Sequence, residues 1–294
     1  MTPYSIRKIL VPVDLSEASL SALDIAVSLA SVHKAGLVVM YVDDDSFDFI
    51  DTSLKGNSGT PSTDVLSAIL HMVESRSSIR PQLVVRSGAV APTILKAAKE
   101  FDCDLIAVGK CGASGFRPCY AGSNAYNVIK YASCPVLVVP PNSRSPFRKV
   151  VFPIRPVHGA LARYDVVRCF LKPQSRLAIL GLSYRLKEKE TGALSQIVSE
   201  ISGRMKEDAV TASTTWGSGE SIADDVLEYG LQQSCDLVVV TNAMDVTLKS
   251  CFVGAHAQQV INRSKVPVLC IGRNFSSLRE PMKDEHADSI SYLR

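Results

Sequence analysis

The chain states its organisation twice. The stretch "IRKILVPVD" at 6–14 returns as "FRKVVFPIR" at 147–155, "CDLIAVGKCG" at 103–112 returns as "CDLVVVTNAM" at 235–244, and "NVIKYASCPVLVVPPN" at 127–142 returns as "QVINRSKVPVLCIGRN" at 259–274. Self-similarity over such lengths means that one plan of strands and helices is used twice. The first match is offset by 141 positions and the other two by 132, so the second copy is nine residues shorter. The acidic, Gly/Ser/Thr-rich stretch 43–64 reads as a long loop and is the natural place for the difference, since the second copy has only "SYRLKEKETG" there. "PPNSRSPF" at 140–147 reads as a connection. The expected units are therefore 1–143 and 147–274, with a polar tail over 275–294.

Within the first copy the apolar runs "KILVPV", "GLVVMYV", "QLVVRS", "DLIAVG" and "PVLVVP" alternate with helical patterns such as "EASLSALDIAVSLASVHK" and "VAPTILKAAKEF". Runs of Val, Ile and Leu without strict alternation suit strands buried on both faces. That predicts a mostly parallel sheet with helices on each side. The expected fold is α/β: two tandem doubly wound domains, each with a five-stranded parallel sheet.

Composition narrows the function. The 32 basic and 29 acidic residues are spread along the 294-residue chain without a basic block that would suit nucleic acid. The N-terminal apolar run is interrupted by Pro12 and Asp14, unlike a secretion signal, and no uninterrupted run of about 18 apolar residues suggests a membrane span. A cytoplasmic location is the expectation. Eight cysteines form no CxxC pair, and most lie in apolar runs, so they read as reduced core residues rather than a disulfide frame or zinc site.

The chemistry concentrates in one loop. Gly109 is followed by two residues and Gly112, then by nine residues and the pair Gly122, Ser123, which opens a helix with Asn124. Glycine lets backbone amides approach a ligand, Ser123 is placed to cap the helix or offer its hydroxyl, and a helix N-terminus suits phosphate. In an open parallel sheet, such loops meet ligands beyond the carboxyl ends of the strands. Asp14 after the first strand and Val42 at the end of the second fall at the same end.

The G-x2-G-x9-G-S spacing, together with "VPVDLSEAS" and "CPVLVV", resembles the universal stress protein family, whose nucleotide-binding members carry that motif. The resemblance spans about 5–141 and, more weakly, 147–274. It implies a Rossmann-like fold and a bound adenine nucleotide, ATP first, with AMP or ADP as alternatives. Carried over, Asp14 beside Pro12 meets the adenosine part, the Val42 backbone meets adenine and Gly109 lies near the ribose. Gly112, Gly122, Ser123 and Asn124 then face the phosphates. Lys110 and Arg117 add positive charge to the loop. The family commonly has histidine where Cys111 stands. The resemblance further implies that 135–139 and 267–271 pair across the two units. Were those edges free, a homodimer of tandems would follow instead.

The second copy departs from the motif. Arg155 replaces Asp14, Thr241 replaces Gly109, Met244 replaces Gly112, and Gly254–Ala255 replaces the Gly–Ser pair. The second unit is therefore expected not to take ATP in the family manner. Plainer readings stand beside these: Asp14 as a helix cap, Asp43 to Asp45 as solvated loop rather than a magnesium ligand, and Cys111 and Cys119 as ordinary rather than redox-sensitive thiols. No Walker lysine motif and no recognisable catalytic set occurs, so binding rather than catalysis is expected. An interaction scaffold that binds no nucleotide, and a slow ATPase or nucleotidyltransferase, are the alternatives.

Overall fold

Every strand but one is joined to the next through a helix, and a crossover of that kind returns the chain in the same direction, so neighbouring strands pair in parallel. The computed structural model describes residues 4–44, 63–77, 79–111, 121–156, 160–184, 186, 188–217, 221–241, 254–272 and 275. The first half runs β1 (Lys8–Pro12), α1 (Glu17–His33), β2 (Gly36–Asp43), α2 (Thr63–Arg76), β3 (Gln82–Ser87), α3 (Val90–Glu100), β4 (Leu105–Gly109), α4 (Ser123–Tyr131) and β5 (Val136–Val139). The second runs β6 (Lys149–Ile154), α5 (Ala160–Val167), β7 (Arg176–Leu182), α6 (Glu188–Glu207), β8 (Thr211–Gly217), α7 (Ile222–Gln232), β9 (Leu237–Thr241), α8 (Ala255–Arg263) and β10 (Val268–Ile271).

The ten strands form one sheet in the order β3-β2-β1-β4-β5-β10-β9-β6-β7-β8. Each half is thus a doubly wound sheet with its first strand at the centre. The halves join where β5 and β10 pair antiparallel, with Val268 opposite Val138, Leu269 opposite Leu137 and Cys270 opposite Val136. Pairing removes the exposed hydrogen-bonding edge that each half would otherwise present there.

Alternating side chains divide the interior into two layers, both continuous across the seam. One contains Leu137 and Leu269 and is covered by α1, α2, α5 and α6; the other contains Val138 and Val268 and is covered by α3, α4, α7 and α8. The packed chain extends past 274, because Phe275 is buried and stacks edge-on to Tyr4 with ring centroids 5.1 Å apart. His33 Nε2 lies 2.7 Å from the Cys169 carbonyl oxygen, tying α1 to the second half.

The shortening of the second copy falls in the connection from second strand to second helix, which runs over 183–187 against 44–62 in the first, and is partly offset by the longer helix that follows. α6 follows β7 after a short connection and is itself 20 residues long, against 14 in α2. Among the described residues, no helix is long and apolar enough to cross a membrane.

Candidate functional site

β1 lies between β2 and β4, so the chain leaves it in opposite directions on its two sides and a crevice opens at the carboxyl ends. The last inter-strand bond there runs from Val13 N to the Met40 carbonyl at 2.8 Å. The chain then turns sharply through Leu15, whose φ is 65°. Asp14 drives this turn: its Oδ1 accepts from Ser16 N at 3.0 Å and Ser16 Oγ at 2.5 Å. Ser16, not Asp14, is the N-cap of α1, accepting from Ser19 N at 3.2 Å.

Pro12, Asp14, Val42, Gly109, Gly122, Ser123 and Asn124 all line one cleft of about 300 Å³. Gly112 lies outside the described residues, as do Arg117 and Cys119. The cleft also has an apolar wall from Val90 and Ile94 of α3 and includes Tyr41, Ser16 and Ser19. Those four-apart apolar positions on α3 look like ordinary core in the sequence. Only the crossing of α3 over the strand ends turns part of that face toward the cleft.

The glycines have different physical reasons to be glycine. A Cβ at Gly109 would stand 2.8 Å from Ser19 N and 2.9 Å from the Ala18 carbonyl carbon, closer than the backbone of α1 allows. That residue is dictated by helix packing. At Gly122, with φ −59° and ψ 156°, a Cβ would meet nothing within 4 Å among the described residues. The described neighbours therefore make no demand for glycine there.

Gly122 is also the N-cap of α4 and offers no side chain to its first turn. Ser123 is the first helical residue, so it does not act as the expected cap. No acidic residue stands in the first turn of this nine-residue helix. The first-turn amides lack intrahelical acceptors and sit at the positive end of the helix dipole, beside the cleft. At the other side stand the carboxylates of Asp14, Asp43 and Asp44. The Tyr41 phenol is pushed up by burial, then by Asp43 and Asp14.

Lys110 lines the cleft, but its ammonium is engaged elsewhere than its sequence position suggested. Its side chain turns into the other half, where Nζ donates to the Asn262 carbonyl at 2.8 Å and the Ser264 carbonyl at 2.7 Å. Burial brings its pKa down to about 8.

The second half carries different groups at the corresponding positions. Arg155 is buried, and its Nη2 donates to the Tyr184 carbonyl at 3.0 Å. The Tyr184 hydroxyl in turn meets the Asp225 carboxylate and lies 3.5 Å from the Ser221 carbonyl. Thr241, at the position of Gly109, is buried as well. Met244 lies outside the described residues.

The cysteines divide. Cys103, Cys134, Cys169, Cys235 and Cys270 are free. Burial raises the first three thiols to about 12 and Cys235 to about 11, so these are poor nucleophiles at neutral pH. Cys111, on the cleft wall, departs from the expectation of an ordinary thiol: it is disulfide-bonded, with its partner outside the described residues. Sequence spacing alone could not reveal this, because no short motif links Cys111 to another cysteine.

The fold and cleft define a doubly wound α/β protein with a crevice at its switch point and a helix N-terminus beside it. The profile of the universal stress protein family matches residues 5–140. Universal stress protein YxiE of Bacillus subtilis is 31% identical over 146 residues, which make up 45% of this chain and 98% of YxiE. The universal stress protein A homolog of Haemophilus influenzae is 32% identical over 107 residues, 35% of this chain and 76% of that protein. The crystal structure of a universal stress protein from Archaeoglobus fulgidus aligns with a TM-score of 0.70 over 92% of this chain and 100% of its own, at 21% identity, which is a likeness of fold. The chain belongs to the universal stress protein family.

Proposed function

We propose that the first half binds an adenine nucleotide, ATP foremost, and that the chain acts by binding rather than by turnover. The observation that carries this reading is Gly122: a helix-capping glycine that none of the described neighbours requires, opening the uncompensated first-turn amides of α4 onto a cleft of about 300 Å³. The phosphates would lie at that helix end, and the base between the end of β2 and the apolar wall from α3. Asp14 would then face the sugar, held in place by its two bonds from Ser16. A divalent ion carried in with the phosphates would find Asp43 and Asp44 at the rim.

The second half is a degenerate copy in this reading. An arginine stands where the sugar-facing carboxylate would be, and Tyr184 is tied down across the same region, so it takes no nucleotide in this manner.

Calorimetric titration with ATP, ADP and AMP tests the assignment, with phosphate release followed in parallel. Saturable binding with no release beyond that of a Gly122→Val control supports regulatory binding. Absence of heat and of competition at millimolar nucleotide favours an interaction scaffold, and steady release above the control favours a slow ATPase.

A further inference from the structure

The glycine loop leaves β4 at Lys110 and returns at Ala121, and both ends are held by the same short stretch of the second half. Lys110, 3% exposed, donates from Nζ to the carbonyls of Asn262 and Ser264. These lie at the C-terminal end of α8, where carbonyls lack intrahelical donors and the helix dipole is negative. The Asn262 side chain reaches the other end of the loop, with Oδ1 accepting from Ala121 N at 3.1 Å. The two ends are also tied to each other, Gly122 N donating to the Lys110 carbonyl at 3.0 Å, and to the sheet, Lys110 N donating to Val139 at 2.7 Å.

This arrangement is directional. By the 132-residue offset of the repeat, the counterparts of Lys110 and Asn262 are Asn242 and Lys130. An asparagine side chain is too short to carry an ammonium across the seam, and a lysine cannot accept an amide hydrogen. The side chain of Lys130 lies over Tyr131, with Nζ 4.8 Å from the ring centre. The residue pair by which the second half grips the loop of the first is therefore not repeated in the sequence for the opposite direction.

We propose that Lys110 and Asn262 are positioning residues through which the second half sets the ligand affinity of the first-half cleft. The inference rests on the nucleotide reading of that cleft. Neither side chain reaches the ligand in this account. They hold Ala121 and Gly122, and with them the first turn of α4, where its amides face the phosphates. A ligand meeting a loop already so held loses less freedom on binding. A half that has lost its own cradle thereby acquires a role in its partner's.

The full-length chain tests this, carrying Lys110→Met, Asn262→Ala or Asn262→Asp, with ATP as the probe and Gly122→Val as the blocked-cleft control. Asn262→Ala and Lys110→Met are each expected to weaken ATP binding about tenfold. Asn262→Asp keeps an acceptor for Ala121 N and is expected to restore near wild-type affinity, which a merely structural loss would not predict. Amide exchange in the absence of nucleotide gives a second reading, with protection of Ala121 and Gly122 lost in Asn262→Ala and retained in Asn262→Asp. Wild-type binding that is unchanged in Asn262→Ala overturns the clamp and leaves the nucleotide assignment standing. Absence of binding in the wild type overturns the assignment and the clamp's role in affinity together, while the exchange data still decide whether Asn262 holds the loop.

Discussion

Gly109 lies directly beneath the first turn of α1, so close that a Cβ on it would stand 2.8 Å from the amide nitrogen of Ser19. The other close atom belongs to the Ala18 backbone, which cannot rotate away. Gly109→Ala must therefore push α1 off β4. Overpacking of this kind costs typically about 1–3 kcal/mol. Urea denaturation should show that loss without nucleotide present, and an alanine variant as stable as the wild type would disprove the packing account.

Gly122 gives the opposite expectation, since none of the described residues crowds it and its φ of −59° suits any residue. Gly122→Val should keep the melting temperature within about 3 °C of wild type, because the loss of about 1 kcal/mol expected from valine at a helix N-cap shifts a chain of this size by only about 2 °C. Its branched side chain would stand at the amides of α4, and ATP affinity should fall at least about tenfold by calorimetry. Destabilisation with unchanged affinity would reverse the roles assigned to the two glycines.

Lys110 should make stability depend on pH in a definite direction. Burial alone lowers its pKa from 10.5 to about 8 in the folded chain, so between those values the unfolded chain holds the proton that the folded chain has released. Stability relative to Lys110→Met should thus rise as pH climbs from about 8 to about 10.5, by on the order of 3 kcal/mol at most. Below pH 8 both states are protonated and the difference should be flat. Paired denaturation curves across that range make the measurement, and a difference that falls with rising pH would contradict the buried setting of the ammonium.

Stoichiometry separates the two halves. One ATP per chain is expected, and Arg155→Asp alone should not create a second site, because Tyr184 remains bound to Asp225 and Thr241 keeps its side chain at the end of β9. Titration to saturation with either protein should end at one equivalent. Two equivalents in the wild type would show that the second cleft is open.

Cys111 should be found cross-linked in protein isolated without reductant. With five of the eight cysteines free, Cys119 and Cys251 are the candidates for its partner. Peptide mapping under non-reducing conditions identifies the link, and alkylation of Cys111 in native protein would contradict it.

Much of this architecture is legible before any coordinates. Apolar runs at 8–13, 36–42, 82–87, 104–109 and 135–140 match β1 to β5 within a residue or so, because strands buried on both faces admit few polar side chains, although β3 at the sheet edge is mostly exposed. The site is legible in part, since Pro12, Asp14, Val42, Gly109, Gly122, Ser123 and Asn124 reach one cleft from four chain segments. The α3 wall of Val90 and Ile94 was hidden, as an apolar face reads the same whether it meets a core or a crevice. The cap was misplaced between Asp14 and Ser16, since each can begin a helix and only the turn at Leu15 decides between them.

The repeat, its rhythm of strand and helix, and the loss of the glycine motif in the second copy are properties of the chain alone, set by local periodicity and by which residues glycine can and cannot be exchanged for. Contacts between residues far apart in sequence are another matter. That Gly109 answers to α1 and that Arg155 meets Tyr184 were settled by packing within each half, whereas Lys110 turned from its loop to the end of α8 only when β5 met β10 and brought the halves edge to edge. A lysine in a glycine loop carries no mark of which acceptor it will find. That choice falls to whichever carbonyls the packed sheet leaves without donors, and here they belong to the other half.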